Sequence, residues 1–264
     1  MPKAIRHEPR ILVTNDDGIQ APGLKVLERI ARTLSKDVWV VAPEVEQSGA
    51  GHSLSINVPL RLRQIAAKRF AVFGTPTDSV LAAVRVVLPK GAKPFDLVLS
   101  GVNRGANLGE DITHSGTVAA AMEGALCGIP SFAFSQGFDF TNPKPKLRWE
   151  TAQRFAPTLI RQLLKAPWDA NTLYNINFPD LPAERVRGVK ATPHGKRPAM
   201  KELSRAVDPK GRHYYWLHWA DNGVASHAQD ADLKWSARGY ITVTPICLNL
   251  TNYAMLKRME KLSL

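Results

Sequence analysis

The sequence predicts an α/β fold, in which a mostly parallel sheet is covered by helices on both faces. Short, uniformly apolar runs, typical of strands buried on both faces, alternate with helix-like segments through the first half of the chain. The chain has 264 residues, of which 44% are hydrophobic and 22% charged. Such a composition fits one large globular domain or a core with an extension.

The elements follow one another in strand–helix order from residue 11. Strands are expected at 11–13, 38–42, 95–99 and 129–134, with one or two β segments between 56 and 73. Helices are expected at 24–34, 74–88, 115–127 and 148–165. Thr77 or Asp78 is able to cap the start of the second helix.

The pattern changes after about residue 180. A long loop or hairpin arm is expected over 184–213, then a strand at 239–246 and a closing helix at roughly 250–262. We therefore divide the chain into an α/β/α core, residues 1–180, and a C-terminal extension, residues 181–264. The extension is expected to pack on the core or on a neighbouring subunit.

The chain is strongly basic, with a formal net charge of +12 and a pI near 9.9. Residues 184–213 hold nine Lys or Arg against three Asp or Glu. This balance suits anionic partners such as phosphates, nucleotides, nucleic acid or polyphosphate, although a solvated basic face explains it equally well.

Several classes of protein are not expected. No run of 18 apolar residues is present, so no membrane span is predicted, and the charged N-terminus lacks the hydrophobic segment of a secretory signal. The two cysteines form no CxxC motif and no disulfide framework. A reduced, cytoplasmic protein is the expectation.

Polar residues gather where the predicted strands end. Asp16 and Asp17 follow the first strand, Ser48 lies in the loop after the second, and Asn103 follows the strand at 95–99. The carboxyl ends of parallel strands share one edge of a sheet, where ligands bind. Because adjacent carboxylates are costly to bury unpaired, and because oxygen atoms are the ligands that Mg²⁺, Mn²⁺ or Ca²⁺ prefer, a cation site is indicated. Capping of the following turn is the alternative role for the two aspartates.

An anion site is predicted beside the cation site. Ser115, Gly116 and Thr117 lead directly into a helix, whose free N–H groups and neighbouring hydroxyls favour a phosphate. A cation next to a phosphate is the minimum arrangement for metal-assisted hydrolysis of a phosphate ester. The motifs GxGxxG, GxxxxGK[ST] and GxSxG are all absent, so a dinucleotide-binding protein, a Walker-type NTPase and an α/β-hydrolase are not supported.

Five segments taken together resemble a known family. They are ILVTNDDGI, VAPEVEQSGAGHSLS, GTPTDSV, LVLSGVNRGANLGEDITHSGTVAAAMEGA and GYITVTPI, in order from residue 11 to about 250. The chain is similar to the SurE, or survival-protein-E, nucleotidases. The resemblance implies a three-layer α/β/α sandwich with a mostly parallel, Rossmann-like sheet. It also implies a C-terminal extension, made of a β arm and a terminal helix, that is exchanged between subunits of a dimer or tetramer.

The resemblance also implies an activity and a set of site residues. The activity is divalent-metal-dependent hydrolysis of nucleoside 5′-monophosphates, and of 3′-monophosphates, with secondary cleavage of short polyphosphate. One Mg²⁺ or Mn²⁺ ion per subunit is expected. The implied metal ligands are Asp16, Asp17, Ser48 and Asn103, and the implied phosphate-binding residues are Asn107, Ser115, Gly116 and Thr117.

The expected reaction is attack of a metal-activated water on phosphorus, with Asp16, Asp17 and Asn107 as the catalytic residues. Asp16 or Asp17 would take the proton of the water. An aspartyl-phosphate intermediate ranks second, because both aspartates are wanted as metal ligands. The group that protonates the leaving oxygen is undecided between His52 and His114. Ser79 stands where many members carry cysteine, and residues 184–235 match the family poorly.

Two other functions remain open at this point. A basic nucleic-acid-binding module would show salt-dependent binding and release no phosphate, but the arm carries no recognisable nucleic-acid motif, so specific binding is not expected. An enzyme whose main substrate is polyphosphate would use the basic arm to steer that polyanion.

Overall fold

The computed structural model describes residues 8–138, 146–166, 168–169, 171–196, 203–217 and 231–262. It contains these strands in chain order: β1 (Ile11–Thr14), β2 (Val38–Pro43), β3 (Arg61–Ala66), β4 (Arg69–Phe73), β5 (Leu97–Arg104), β6 (Ser131–Gln136), β7 (Thr172–Phe178), β8 (Val189–Ala191), β9 (Leu203–Val207), β10 (His213–Leu217) and β11 (Ile241–Cys247). The helices are α1 (Pro22–Arg32), α2 (Pro76–Ala82), α3 (Gly116–Leu126), α4 (Trp149–Leu163), α5 (Asp232–Ala237) and α6 (Tyr253–Met259).

Nine strands form one sheet in the order β3-β4-β2-β1-β5-β6-β7-β11-β8. All neighbouring pairs are parallel except β3–β4 and β7–β11. The remaining two strands, β9 and β10, form a separate antiparallel hairpin. The predicted mostly parallel sheet is therefore confirmed.

Helices cover both faces of this sheet. On one face, α1 and α4 pack against alternate side chains of the central strands, such as Ile11, Val13 and Leu99. On the other face, α2 and α3 pack against the intervening side chains, such as Leu12 and Val98. Because strand side chains alternate between the two faces, both faces of β1 and β5 must be apolar. The α/β/α layering follows from that requirement.

The second helix differs from its expected form. The α-helical part ends at Ala82, and one π-helical turn, Ala83–Val87, continues it. Its N-cap is Thr75, so the expectation of Thr77 or Asp78 was wrong. The Thr75 hydroxyl accepts a hydrogen bond from the Asp78 amide (3.1 Å), and the Asp78 carboxylate accepts one from the Thr75 amide (2.8 Å). Two free amides of the first turn are satisfied by this reciprocal pair.

Strand β5 continues past its expected end at residue 99. The register of β5 against β6 shifts between Ser100 and Asn103, which lets the strand run on to Arg104. Gly101 makes the shift possible, because its φ is +119° and a Cβ atom there would lie 2.3 Å from the Phe134 carbonyl oxygen.

Strands β7 and β8 were not expected from the sequence. The buried residues of β7 include Asn175 and Asn177, and these amides interrupt the apolar pattern by which a buried strand is detected. With β8 and β11, residues beyond 180 supply two strands to the main sheet. The division of the chain at residue 180 stays a prediction.

The hairpin β9–β10 and helix α6 project from the sheet. The hairpin is exposed almost throughout, and α6 has no buried residue. Among the described helices, none is long and apolar enough to cross a membrane.

Candidate active site

Strand β1 ends in a buried carboxylate. Asp16 is only 4% exposed, and its Oδ1 accepts a hydrogen bond from the hydroxyl of Thr117 in the first turn of α3. The helix start packs on the aspartate so closely that a Cβ atom at Gly116 would lie 2.7 Å from the Asp16 Cβ. Glycine at 116 is therefore what allows the amino end of α3 to approach the end of β1.

Asp17 lies beside this contact and is half-buried. Its Oδ2 accepts a hydrogen bond from the backbone N–H of Arg104 at 3.4 Å. Burial raises the pKa of Asp17 to about 7, and the charge of Asp16 adds to the effect. Burial also raises the pKa of Asp16, against the opposing hydrogen bond from Thr117. Two carboxylates in one poorly solvated place thus carry an electrostatic cost that a cation would offset.

The loop after β2 closes over the end of β1. The amide of Gln47 donates to the Asp16 carbonyl oxygen at 2.8 Å, and the amide of Gly51 donates to the His114 carbonyl oxygen at 3.1 Å. These two bonds hold residues 44–55 against both the first strand and the segment before α3.

Ser48 is exposed on this loop, and its hydroxyl donates to Oε1 of Glu46 at 2.7 Å. Glu46 is close enough to Asp16 and Asp17 for its charge to raise the pKa of both. The structure therefore connects Ser48 to the aspartates through Glu46. This third carboxylate is not among the site residues predicted from the sequence. Glu46 follows the end of β2 just as Asp17 follows the end of β1, so the same strand-end pattern could have identified it.

Asn103 lies at the end of β5, next to β1. The two strands pair in register at Thr14 and Ser100, so Asn103 comes just beyond the end of that pairing. The Asn103 side-chain amide donates to the Gly105 carbonyl oxygen at 3.0 Å. The bond orients the amide group, and its oxygen is the atom able to bind a cation, since the NH₂ group is a donor only.

Asn107 is buried and is held by polar side chains of β6 and β7. Its side-chain nitrogen donates to the Ser135 hydroxyl at 2.8 Å. Its own backbone is bonded by two asparagines of β7, Asn175 and Asn177. An NH₂ group has two hydrogens, and within the described part of the chain the second hydrogen of Asn107 makes no bond, so it could serve a ligand.

Ser115 is the N-cap of α3. Its hydroxyl oxygen accepts a hydrogen bond from the Val118 amide at 3.1 Å, which leaves the hydroxyl hydrogen for another acceptor. The backbone N–H groups of Gly116 and Thr117 belong to the first turn, which has no intrahelical partners. An anion is favoured at this position, directly beside Asp16.

Both histidine candidates have defined positions. His52 Nε2 lies 3.0 Å from Oε2 of Glu123, a largely buried residue two turns into α3. This pair ties the loop after β2 to the side of α3. His114 lies just before Ser115, where its carbonyl oxygen accepts the Gly51 amide. The choice of general acid stays a prediction.

A buried aspartate from the C-terminal part holds the same region. Asp232 is fully buried at the start of α5, and its Oδ2 accepts a hydrogen bond from the Gly109 amide at 2.9 Å. Its Oδ1 accepts one from the Gly195 amide at 2.7 Å. The Asp232 carboxylate therefore connects Gly109, in the loop that carries Asn107, to Gly195.

The predicted site residues fall into three groups. Asp16, Gly116 and Thr117 are in direct contact, and Asp17 adjoins them. Ser115 directly precedes Gly116, and Asn103 directly precedes Arg104, whose amide bonds to Asp17. Asn107 is bonded to β6 and β7 instead. Ser48 bonds to Glu46, whose charge acts on both aspartates. Within the described part of the chain, no group of three His, Cys, Asp or Glu side chains is arranged to hold a metal ion.

Comparison with known proteins gives consistent results. The family model of "Survival protein SurE" matches residues 11–201. The 5′-nucleotidase SurE of Paramagnetospirillum magneticum is 55% identical over 251 residues, covering 95% of this chain and 94% of that protein. The 5′-nucleotidase SurE of Rhizorhabdus wittichii is 51% identical over 249 residues, covering 94% and 96%.

A solved structure agrees with the fold. The crystal structure of the SurE protein from Aquifex aeolicus has a TM-score of 0.81 to this chain at 39% identity, covering 96% of this chain and 98% of that one. With a family match over most of the core and relatives above 50% identity, the chain belongs to the SurE family.

Proposed function

We propose that this enzyme is a divalent-metal-dependent 5′-nucleotidase that hydrolyses nucleoside 5′-monophosphates to nucleoside and phosphate. Activity on 3′-monophosphates and a secondary activity on short polyphosphate belong to the same proposal. One observation carries it: buried Asp16, with half-buried Asp17 beside it, lies against the amino end of α3, where the proposed cation and phosphate sites would adjoin. The names of the relatives support the assignment.

The residues around the pair fit a hard divalent cation. Asp16, Asp17, Ser48 and Asn103 would hold one Mg²⁺ or Mn²⁺ ion, since all four offer oxygen atoms. The burial and mutual repulsion of the two carboxylates favour a positive charge between them. When bound, the ion supplies positive charge to the phosphate oxygens and lowers the pKa of a water molecule.

The amino end of α3 is assigned to the phosphate. The amides of Gly116 and Thr117, the hydroxyl of Ser115 and the side-chain amide of Asn107 donate hydrogen bonds to its oxygens. These donors are fixed before the reaction, so they stabilise the charge that develops in the transition state without reorganising.

The two aspartates have different surroundings and so different roles. The Thr117 hydroxyl fixes Oδ1 of Asp16, whereas the carboxylate of Asp17 is less buried and receives one long hydrogen bond. Asp17 is therefore the residue that takes the proton of the attacking water, with Asp16 as the oriented partner.

Self-association as a dimer or tetramer belongs to the same proposal. Helix α6 and the residues around it expose apolar side chains, among them Leu250, Tyr253 and Met255. An amphipathic surface helix without any buried residue is expected to be covered by another surface. We also assign the enzyme to the cytoplasm, in keeping with its free cysteines, Cys127 and Cys247.

The test is phosphate release by the full chain after treatment with EDTA. The substrates are the four common 5′-mononucleotides, 3′-AMP and tripolyphosphate, each with Mg²⁺, Mn²⁺ or no metal. We expect release only with metal and the highest kcat/KM for a 5′-mononucleotide. Full activity in EDTA would contradict the metal site. A higher kcat/KM for tripolyphosphate than for every nucleotide would instead make polyphosphate the main substrate.

A further inference from the structure

The backbone of Asn107 is held by a single side chain at both of its polar groups. Oδ1 of Asn177 accepts the Asn107 backbone N–H at 2.8 Å, and Nδ2 of Asn177 donates to the Asn107 carbonyl oxygen at 3.0 Å. The two residues are 70 positions apart in the sequence. A loop residue is thereby given the pair of bonds that a neighbouring strand would otherwise provide.

A second asparagine of β7 strengthens this arrangement. Nδ2 of Asn175 donates to the same Asn107 carbonyl oxygen at 2.8 Å. Asn175 and Asn177 are both fully buried on β7, the strand next to β6. Ser135 of β6 accepts a hydrogen bond from the Asn107 side-chain amide. Backbone and side chain of Asn107 are therefore fixed together from two adjacent strands.

The amide side chain at position 177 suits this pair of bonds. It offers one donor and one acceptor in a plane, whereas an ionised carboxylate offers acceptors only and an aliphatic side chain offers neither. Burying two amides in the middle of a strand is unfavourable unless they are hydrogen-bonded, so their presence there needs the Asn107 loop as a partner.

We propose that Asn177, assisted by Asn175, is a positioning residue that sets the Asn107 amide at the phosphate site. This inference rests on the proposed function, which assigns the Asn107 side chain to the phosphate. Asn177 acts on substrate only through Asn107.

Phosphate binding and metal binding should respond differently to the loss of Asn177. Asn177 bonds to Asn107, whereas the proposed metal ligands Asp16, Asp17, Ser48 and Asn103 are bonded elsewhere. Loss of the Asn177 bonds should therefore weaken phosphate binding and leave metal binding unchanged. A purely structural role would lower stability without separating the two affinities.

The experiment compares Asn177→Leu, Asn177→Ser and Asn107→Ala in the full chain. Leucine has nearly the shape of asparagine but makes no hydrogen bond. Thermal unfolding first shows which variants are folded, and Asn177→Ser replaces Asn177→Leu if the leucine variant does not fold. The measurements are the inhibition constant of inorganic phosphate, KM and kcat for AMP, and the Mn²⁺ concentration that gives half-maximal activity. Thr242→Val is the matched control, because Thr242 lies opposite Asn177 on β11 and its buried hydroxyl has no hydrogen-bond partner among the described residues.

We expect the Asn177 variants to weaken phosphate inhibition and kcat/KM by about 10-fold or more, as a displaced binding group does, with half-maximal Mn²⁺ unchanged. Thr242→Val should behave as the unmodified enzyme. If Asn107→Ala weakens phosphate inhibition but the folded Asn177 variants do not, the positioning role is wrong and the proposed function stands. If Asn107→Ala itself leaves phosphate inhibition unchanged, the phosphate role of Asn107 is wrong, and the positioning role falls with it.

Discussion

Thr117 donates a hydrogen bond to Asp16 although the two residues are 101 positions apart in the sequence. The bond joins the end of the first strand to the first turn of the helix that follows β5. It also fixes one carboxylate oxygen, so the other oxygen is presented in a defined direction. This single contact connects the residues of the proposed cation site to those of the proposed anion site.

Replacement of Thr117 by valine tests that connection. Valine keeps the shape but leaves Oδ1 of Asp16 buried without its donor, which should cost about 1–3 kcal/mol of stability. Turnover of AMP should fall about 10-fold or more, because the carboxylate is no longer held in one orientation. Thr117→Ser keeps the hydroxyl and should restore most of the activity.

The control for Thr117→Val is the same change on the opposite face of the sheet. Thr151 is a buried threonine at the start of α4, and its hydroxyl donates to the Leu181 carbonyl oxygen at 2.7 Å. Thr151→Val should lower stability without changing kcat/KM. Equal kinetic effects in the two valine variants would show that Thr117 acts through stability alone.

Asp17→Asn should remove activity while stabilising the metal-free protein. Loss of one carboxylate from the pair removes a metal ligand and the proposed base, so turnover at saturating Mn²⁺ should fall at least about 100-fold. In EDTA the variant should melt at a higher temperature, because the repulsion between two buried negative charges is gone.

Thermal unfolding with and without Mn²⁺ completes this test. The unmodified enzyme should be stabilised by the metal, because a ligand that binds only the folded state raises its stability, and the variant should respond little. Near-normal turnover, or an unchanged response to Mn²⁺, would contradict the assignment of Asp17.

Gly116→Ala should impair the site through a steric clash. The added Cβ atom would lie 2.7 Å from the Asp16 Cβ, so either α3 or the end of β1 must move. We expect weaker Mn²⁺ binding and a loss of activity together with lower stability.

Gly124→Ala provides a comparison on the same helix. An added Cβ atom at Gly124 would lie 2.4 Å from the Ser131 hydroxyl oxygen. Gly124 is about two helical turns after Gly116 on α3. Both variants should melt at lower temperature, but only Gly116→Ala should need more Mn²⁺ for half-maximal activity. If both variants needed the same Mn²⁺ concentration for half-maximal activity, Gly116 would have no specific role at the metal site.

Asp37 predicts how stability depends on pH. Burial raises the pKa of this carboxyl, but hydrogen bonds from Lys68, Arg10 and Trp39 outweigh burial and lower its pKa to about 2. A carboxyl whose pKa is lowered in the folded state stabilises the protein above its unfolded pKa, which lies near 4. That stabilisation is lost as the pH falls from about 4 to about 2.

Denaturant unfolding of Asp37→Asn checks this dependence. The variant should be less stable than the unmodified protein at pH 7, and the difference should shrink as the pH approaches 2. A difference in the free energy of unfolding that is the same at pH 7 and pH 2.5 would rule out titration of Asp37 as its cause. AMP hydrolysis at pH 7 should be unchanged, since Asp37 lies before β2, at the opposite end of the sheet from Asp16.

The sequence predicts the parts of the fold that depend on local patterns. The run Ile11 to Val13, followed at once by Asp16 and Asp17, is enough to place a buried strand with carboxylates at its end. The order of strands and helices up to residue 165 follows from the same periodicities. The predicted cap was misplaced by two or three residues, although the reciprocal bond between Thr75 and Asp78 is itself a local pattern.

The parts that could not be predicted depend on contacts between distant segments. Strand β7 is polar at Asn175 and Asn177, and these residues are compatible with burial only because the Asn107 loop bonds to them. The extension of β5 depends on a register shift against β6. None of these relationships leaves a periodic signal in the sequence.

The Asp232 carboxylate has a consequence for how this protein can change during evolution. Gly195 and Asp232 are the two ends of one segment, and the Asp232 carboxylate accepts a hydrogen bond from the Gly195 amide. This bond holds the two ends of the segment together. Because loop-closure entropy grows only slowly with length, a segment closed at its base can gain, lose or exchange residues at little cost to the rest of the fold. We therefore expect changes of length or sequence within that segment to have little effect on the end of β1.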